Sequence, residues 1–528
     1  MLIINNTFII LDIPLLISIS CKISINIIID WISIIFSSTV IFISSIIIVF
    51  RYYYINKLEL KQFLTLIIIF IISIQILILR NNLFLILLGW DGLGLTSYVL
   101  VIYYQNFKSL ASGTITILSN RIGDIIILIT IAIIIIRINW NLSINHEYTK
   151  ITLILLIIAI CTKRAQFPFS AWLPIAIAAP TPISALVHSS TLVTAGVFLG
   201  LRIISIPHPL IIAAIISIAR GTAIYARISA NWEQDLKKII ALSTLSQIAI
   251  IIFALRIITI ITAFIHLIIH ALFKSTIFLS AGLIIHESSY QDIRIMGINN
   301  YSNPIANTAL GITRIALIGI PFISGFFSKD AIIEIIIISK LISFNSILII
   351  ISIGITASYS LRIIFLSNKN IIKNTPISKN HTSQYSNIPL SIILLITIIS
   401  GSSIAWLFTT EQSFYLNPTY KITISFILII GIIIGFNFSN KNKKLIYIGK
   451  SSINLWFINF LSCIIAKTSY PIIWQYLKND KHWQEHYGPK KIYLINIFII
   501  KLPEIIKIIS LTFIILISIV PIIIIYSF

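Results

Sequence analysis

Six ionisable side chains, Asp91, Lys163, His188, His270, Lys274 and Lys329, lie inside otherwise apolar stretches of this 528-residue chain. Such residues survive among apolar neighbours where they pair, line water or do work. Their types suit proton transfer. Histidine titrates near neutrality, and a buried lysine changes its proton affinity by several units when a carboxylate partner moves. His266, His270 and Lys274 recur every four residues, which places them along one face of a helix. The preceding span offers hydroxyl and amide groups at Ser243, Thr244, Ser246 and Gln247. For a lone His188 the bland reading is a hydrogen-bonded packing residue. Arg121 and Asp124, three apart, share a helix face and read either as a structural ion pair or as part of a proton path.

The elements that position these residues follow from composition. With 58% hydrophobic and 10% charged residues and a mean hydropathy of +1.03, the chain cannot present a soluble surface. Apolar runs long enough to cross a bilayer recur from 31–50 to 509–527, about fifteen spans in all. They are too long and too little alternating for a β-barrel, so the predicted fold is an all-α polytopic membrane bundle. Residues 2–20 read as a weak first span interrupted by Asp12 and Pro14.

Two segments predict broken helices. After Lys163, Pro168, Pro174, Pro180 and Pro182 interrupt the backbone before Ser184–Thr191 restarts it; a second break runs from Gly319-Ile320-Pro321 to Lys329-Asp330. Unwound backbone at membrane depth belongs beside wet or protein-lined cavities, where ion-coupled transporters hold their sites. A lysine at each break suggests an internal duplication, with inverted repeats as its common form. Asp91 sits among glycines in Gly89-Trp90-Asp91-Gly92-Leu93-Gly94, where helices approach closely. No strand precedes this G-x-G, which excludes a dinucleotide loop.

The formal charge of +22 does not indicate nucleic acid, because the lysines gather in short loops such as 369–379 and 441–450 and form no extended basic face. The three cysteines, Cys21, Cys161 and Cys463, have no cluster or zinc spacing, so any electron-transfer cofactor is expected in another chain. His482-Trp483-Gln484-Glu485-His486 satisfies H-x-x-E-H but lacks an apolar helical setting and a third ligand, and is set aside as a metal site. The start of the chain shows no basic n-region or small-residue cleavage site.

LLGWDGLGLTSY (87–98), SNRIGD (119–124), APTPISALVHSSTLVTAGVFLGLR (179–202), DLKKIIALSTLSQ (235–247), HLIIHALFKSTIFLSAG (266–282), QDIRIMG (291–297) and GIPFISGFFSKD (319–330) together resemble the mitochondrial subunit 5 family of respiratory complex I. The resemblance is closest over 80–370. It implies a distal antiporter-like pumping subunit of the mitochondrial inner membrane, built from two inverted five-helix repeats. Asp91 would take the place of the family's acidic residue paired with Lys163. His188, His266, His270 and Lys274 match the central hydrophilic axis, and Lys329 the lysine near the proton exit.

The organisation implied is 1–60 as shortened N-terminal helices, 61–205 and 206–368 as the two repeats, and 369–470 as additional spans and loops. A lateral amphipathic helix at 471–508 and an anchor at 509–528 would follow, with Pro489 and Pro503 interrupting the lateral helix. Partners implied are the neighbouring antiporter-like chains and lipids such as cardiolipin. FMN, iron–sulfur clusters and ubiquinone would belong to other subunits. A free-standing cation/proton antiporter and a structural scaffold are the competing classes.

Arg80, Arg164, Arg227, Arg256 and Arg314 stand where this resemblance has small or hydroxyl residues, whereas Arg121, Arg202, Arg294 and Arg362 match family arginines. Methionine occurs only twice in a chain dominated by isoleucine. An organelle gene in which ATA means Met and AGA means Ser would give this pattern when read with the standard code.

Overall fold

The computed structural model describes residues 8–17, 22–135, 149–203, 209–256, 260–288, 290–296, 303–338, 343–367, 384–408 and 418–439, with short stretches between 449 and 498. Helices dominate. The first five are α1 (Trp31–Tyr54), α2 (Leu60–Leu79), α3 (Leu83–Val101), α4 (Phe107–Ile135) and α5 (Lys150–Lys163). Beyond a broken stretch containing α6 (Trp172–Ile175) and α7 (Thr181–Ser184) come α8 (Leu192–Ile203), α9 (Pro209–Trp232), α10 (Leu236–Arg256) and α11 (Ile260–Ser288). The series continues with α12 (Pro304–Ile318), α13 (Ser324–Ile338), α14 (Ser343–Ser367), α15 (Gln384–Phe408) and α16 (Pro418–Ser439).

Among the described residues, nine helices are long and apolar enough to cross a membrane. The count is of the described residues, and broken helices lower it further. The breaks divide apolar runs into short pieces such as Pro304–Ile318, and 509–528 lies outside the described residues.

The expected first span at 2–20 is corrected. Ile9–Ile17 and Lys22–Ile29 pair as an antiparallel hairpin, irregular between Pro14 and Leu16. β-branched isoleucine suits a strand, and proline disrupts a helix interior but is tolerated at a bulge. The second strand shows its period of two, with Asn26 and Ile28 buried on one face. Among the described residues of 1–60, one long helix, α1, follows the hairpin.

That helix starts where Asp30 donates its N–H to Ser33 Oγ at 3.0 Å. The Asp30 carboxylate is held by Arg202 at 2.9 Å, tying the start of α1 to the end of α8. The bundle is graded: α10, α11 and the segment Thr181–Ile203 are buried almost throughout, while α1, α2, α4 and α15 keep much of their surface outward. Polar residues on the central helices therefore face protein. Outside the apolar zone, Leu236 N–H donates to Gln291 O and Ile293 N–H to Gln234 O, clamping residues 291–293 to the start of α10. There the Arg294 guanidinium, 2.6 Å from Asp292, holds that carboxyl below its usual range.

Residues 1–456 and 457–528 form separate compact units. In the second, 474–478 and 491–498 are helical. Pro489, Pro503 and the 482–486 pattern lie outside the described residues.

Candidate functional site

The first cluster is built by α3, α4 and the end of α5. Lys163, the last residue of α5, is buried and donates from Nζ to the Trp90 carbonyl at 3.1 Å, with Nζ 5.1 Å from the Trp90 ring centroid. Gly94, one turn along α3, makes room for it: a Cβ there would lie 3.3 Å from Lys163 Nζ. On α4, Arg121 bridges two carboxylates, 3.5 Å from Asp124 and 3.8 Å from Asp91. Asp124 is buried, whereas the Asp91 side chain keeps 32% exposure.

Asp91 and Lys163 share this cluster without a direct ion pair. No ion pair within 4.0 Å joins Lys163 to a carboxylate among the described residues, and Asp91 lies instead 3.8 Å from Arg121. Lys163 is nevertheless within electrostatic reach of both carboxylates, with Asp124 acting more strongly than Asp91.

The backbone after Lys163 unwinds as its prolines require. The Trp172 indole N–H donates to Thr162 O at 3.0 Å, replacing an intrahelical bond at the end of α5. Thr222 Oγ1 donates to Gln166 Oε1 at 2.5 Å inside the break. Residues Ala185–Thr191 form a π-helical turn before α8, an irregularity frequent at functional sites. His188 lies on this turn; its side chain is outside the described residues.

The central axis runs along α11. Lys274 Nζ donates to Ser243 Oγ at 2.5 Å and to Ile240 O at 3.4 Å, both on α10. The His270 and His266 rings follow with centroids 6.3 Å apart. Both His270 nitrogens and His266 Nε2 are buried without a hydrogen-bond partner. His266 Nδ1 lies 2.9 Å from Ser328 Oγ, on the residue before Lys329.

Lys329 closes the second break by a complete accounting of carbonyls. Gly319, at φ 89°, takes the left-handed conformation that ends α12, and its N–H donates to Ile315 O and Ala316 O. The next two carbonyls, Leu317 O and Ile318 O, accept from Lys329 Nζ at 3.3 and 2.9 Å. Thr356 Oγ1 on α14 is 3.2 Å from the same nitrogen.

The structure thus gathers Asp91, Arg121, Asp124 and Lys163 in one cluster, and His266, His270, Lys274 and Lys329 in a second. Sequence reasoning missed Lys237, buried with Nζ 3.4 Å from Ala179 O at the first break. Its signal was the doubled lysine: Lys238 turns outward to Asp235 at 3.1 Å, leaving the adjacent lysine to face protein. Trp90, Ser328 and Thr356 were also missed. Among the described residues, no group of His, Cys, Asp and Glu is arranged to hold a metal ion.

Residues 80–356 match the family described as NADH:quinone oxidoreductase/Mrp antiporter, TM, and 359–528 match NADH dehydrogenase subunit 5 C-terminus. NADH-ubiquinone oxidoreductase chain 5 from Aedes aegypti is 38% identical over 90% of this chain and 85% of its own length. The chain of that name from Locusta migratoria is 38% identical over 91% of this chain and 88% of its own length. Among solved structures, a chain of the Mrp complex from Dietzia sp. superposes with a TM-score of 0.71 at 19% identity, covering 95% of this chain and 57% of that one. A chain of the membrane-bound sulfane sulfur reductase, an archaeal respiratory complex, gives 0.66 at 19% identity over 79% of this chain and 85% of that one.

Proposed function

Because the chain belongs to the NADH-ubiquinone oxidoreductase chain 5 family, we propose that it carries protons across the mitochondrial inner membrane as an antiporter-like subunit of respiratory complex I. The supporting observation is the pair of buried clusters, each ending on a lysine at a helix break. Buried ionisable groups in a membrane bundle are functional by default, and a scaffold has no use for basic residues at two breaks.

In this reading Asp124, Asp91 and Arg121 set the electrostatic environment of Lys163, which takes up and releases a proton. His188 is assigned with Lys274 to the central axis, and the proton passes along His270 and His266 through Ser328 to Lys329, near the exit. Residues 61–205 and 206–368 are the two repeats, 369–470 carries further spans, and 471–508 with 509–528 are the lateral helix and anchor. Neighbouring antiporter-like chains flank it, and cardiolipin is the candidate lipid. FMN, iron–sulfur clusters and ubiquinone are assigned to other subunits, where electron transfer occurs.

Proton uptake per NADH oxidised, measured in vesicles containing the intact assembly, tests the reading. Uptake that requires this chain and stops with NADH supports it. Cation/proton exchange by the chain in vesicles without NADH or quinone would favour the antiporter class instead.

A further inference from the structure

Several described arginines have acidic neighbours, and Arg227 and Arg314 contrast with them. Arg121 lies beside Asp124 and Asp91, Arg202 beside Asp30, and Arg294 beside Asp292. Arg362 donates to the Asn231 carbonyl and lies within electrostatic reach of Asp292 and Glu233. Among the described residues, no carboxylate pairs with Arg227 or Arg314, and both are wholly buried. Nε, Nη1 and Nη2 of Arg314, and Nε and Nη2 of Arg227, lack any hydrogen-bond partner. The remaining nitrogen, Nη1 of Arg227, is pressed against Ser352 Oγ.

Their ionisable neighbours make the placement worse. Arg314 acts on Lys274 and Arg227 on Lys329, so each faces another cation, with Tyr359 beside both. A guanidinium stays charged under all ordinary conditions. Buried without a counter-ion, it is among the most destabilising substitutions a bundle can hold. It would also be a fixed positive charge beside the two lysines that carry the central axis.

We infer that the polypeptide made in the organelle carries serine where this sequence has Arg227 and Arg314. Serine removes the charge and satisfies its hydroxyl on its own helix. Neighbouring positions already do so: Ser229 Oγ donates to Ala226 O at 3.0 Å and Thr313 Oγ1 to Ala309 O at 2.6 Å. The two residue types are also linked by coding, since AGA and AGG are read as arginine in some genetic codes and serine in others. The shorter side chains give polar volume beside the buried Tyr359 hydroxyl. That volume suits bridging water and adds two hydroxyls between Lys274 and Lys329.

Mass spectrometry of the chain purified from the respiratory membranes of its source decides this without reference to activity. Peptides from tryptic and chymotryptic digests, with top-down fragmentation of the intact chain, read both positions. Serine at both, with no tryptic cleavage after either, is expected. Arginine at either position overturns the inference.

Discussion

Lys163→Met separates a proton carrier from a structural lysine. The change removes the bond from Nζ to Trp90 O (3.1 Å) and the contact with the indole (5.1 Å). A hydrogen bond from a charged donor contributes about 1.5–3 kcal/mol, and a desolvated cation–π contact about 2 kcal/mol. Against these stands a desolvation penalty of several kcal/mol per buried ammonium. Methionine keeps the length of the side chain and needs no partner, so the terms nearly cancel and the net change should stay within about 2 kcal/mol. The assembly should therefore form. Proton transfer through this chain should fall at least about 100-fold, the lower range for loss of a positioned acid–base group, and coupled NADH oxidation should slow with it. Native gels establish assembly, and proton uptake per NADH in reconstituted vesicles establishes function. Full pumping by assembled Lys163→Met would refute the assignment of Lys163 as a required carrier.

Asp124→Asn should impair pumping more than Asp91→Asn, because Asp124 is the better buried carboxylate and acts more strongly on Lys163; the reverse order in the same vesicle assay would restore Asp91 as the principal partner. Gly94→Ala places a methyl against Lys163 Nζ and should slow proton uptake, whereas Gly221→Ala meets nothing within 4 Å and should leave uptake unchanged. Equal rates in the two variants would show that crowding at Lys163 is harmless. Ser243→Ala removes the nearest acceptor of Lys274, costing about 1–2 kcal/mol; uptake at the wild-type rate would exclude this contact from the path. Deletion from Pro471 onward should prevent incorporation of the distal membrane arm, and a normal native-gel pattern would reject the proposed role of the tail.

Local spacing carried the second cluster. The four-residue intervals of His266, His270 and Lys274 dictate one helix face, and the structure sets the two histidine rings 6.3 Å apart along it. Prolines 168 to 182 dictated a broken backbone but not its form, because the π-helical turn depends on packing. The choice of partner for Lys163 was not legible. Asp91 and Asp124 lie on different helices, and only the packing of α3 against α4 brings Arg121 between them. The N-terminal hairpin was missed although Lys22-Ile23-Ser24-Ile25-Asn26-Ile27 alternates polar and apolar residues with the period of a strand, because the isoleucine-rich run around it has the length and hydropathy of a span.

The bonds that close the second break give proton occupancy a mechanical meaning. Carbonyls at a helix C-terminus carry the negative end of its dipole, and Leu317 O and Ile318 O rest on the Lys329 ammonium. A charged lysine acts as a clasp on the end of α12, and a neutral amine grips it less firmly. Discharge of that proton therefore also unlatches a half-helix. Under the proposed relay, the charge on Lys329 and the hold on the end of α12 would change together.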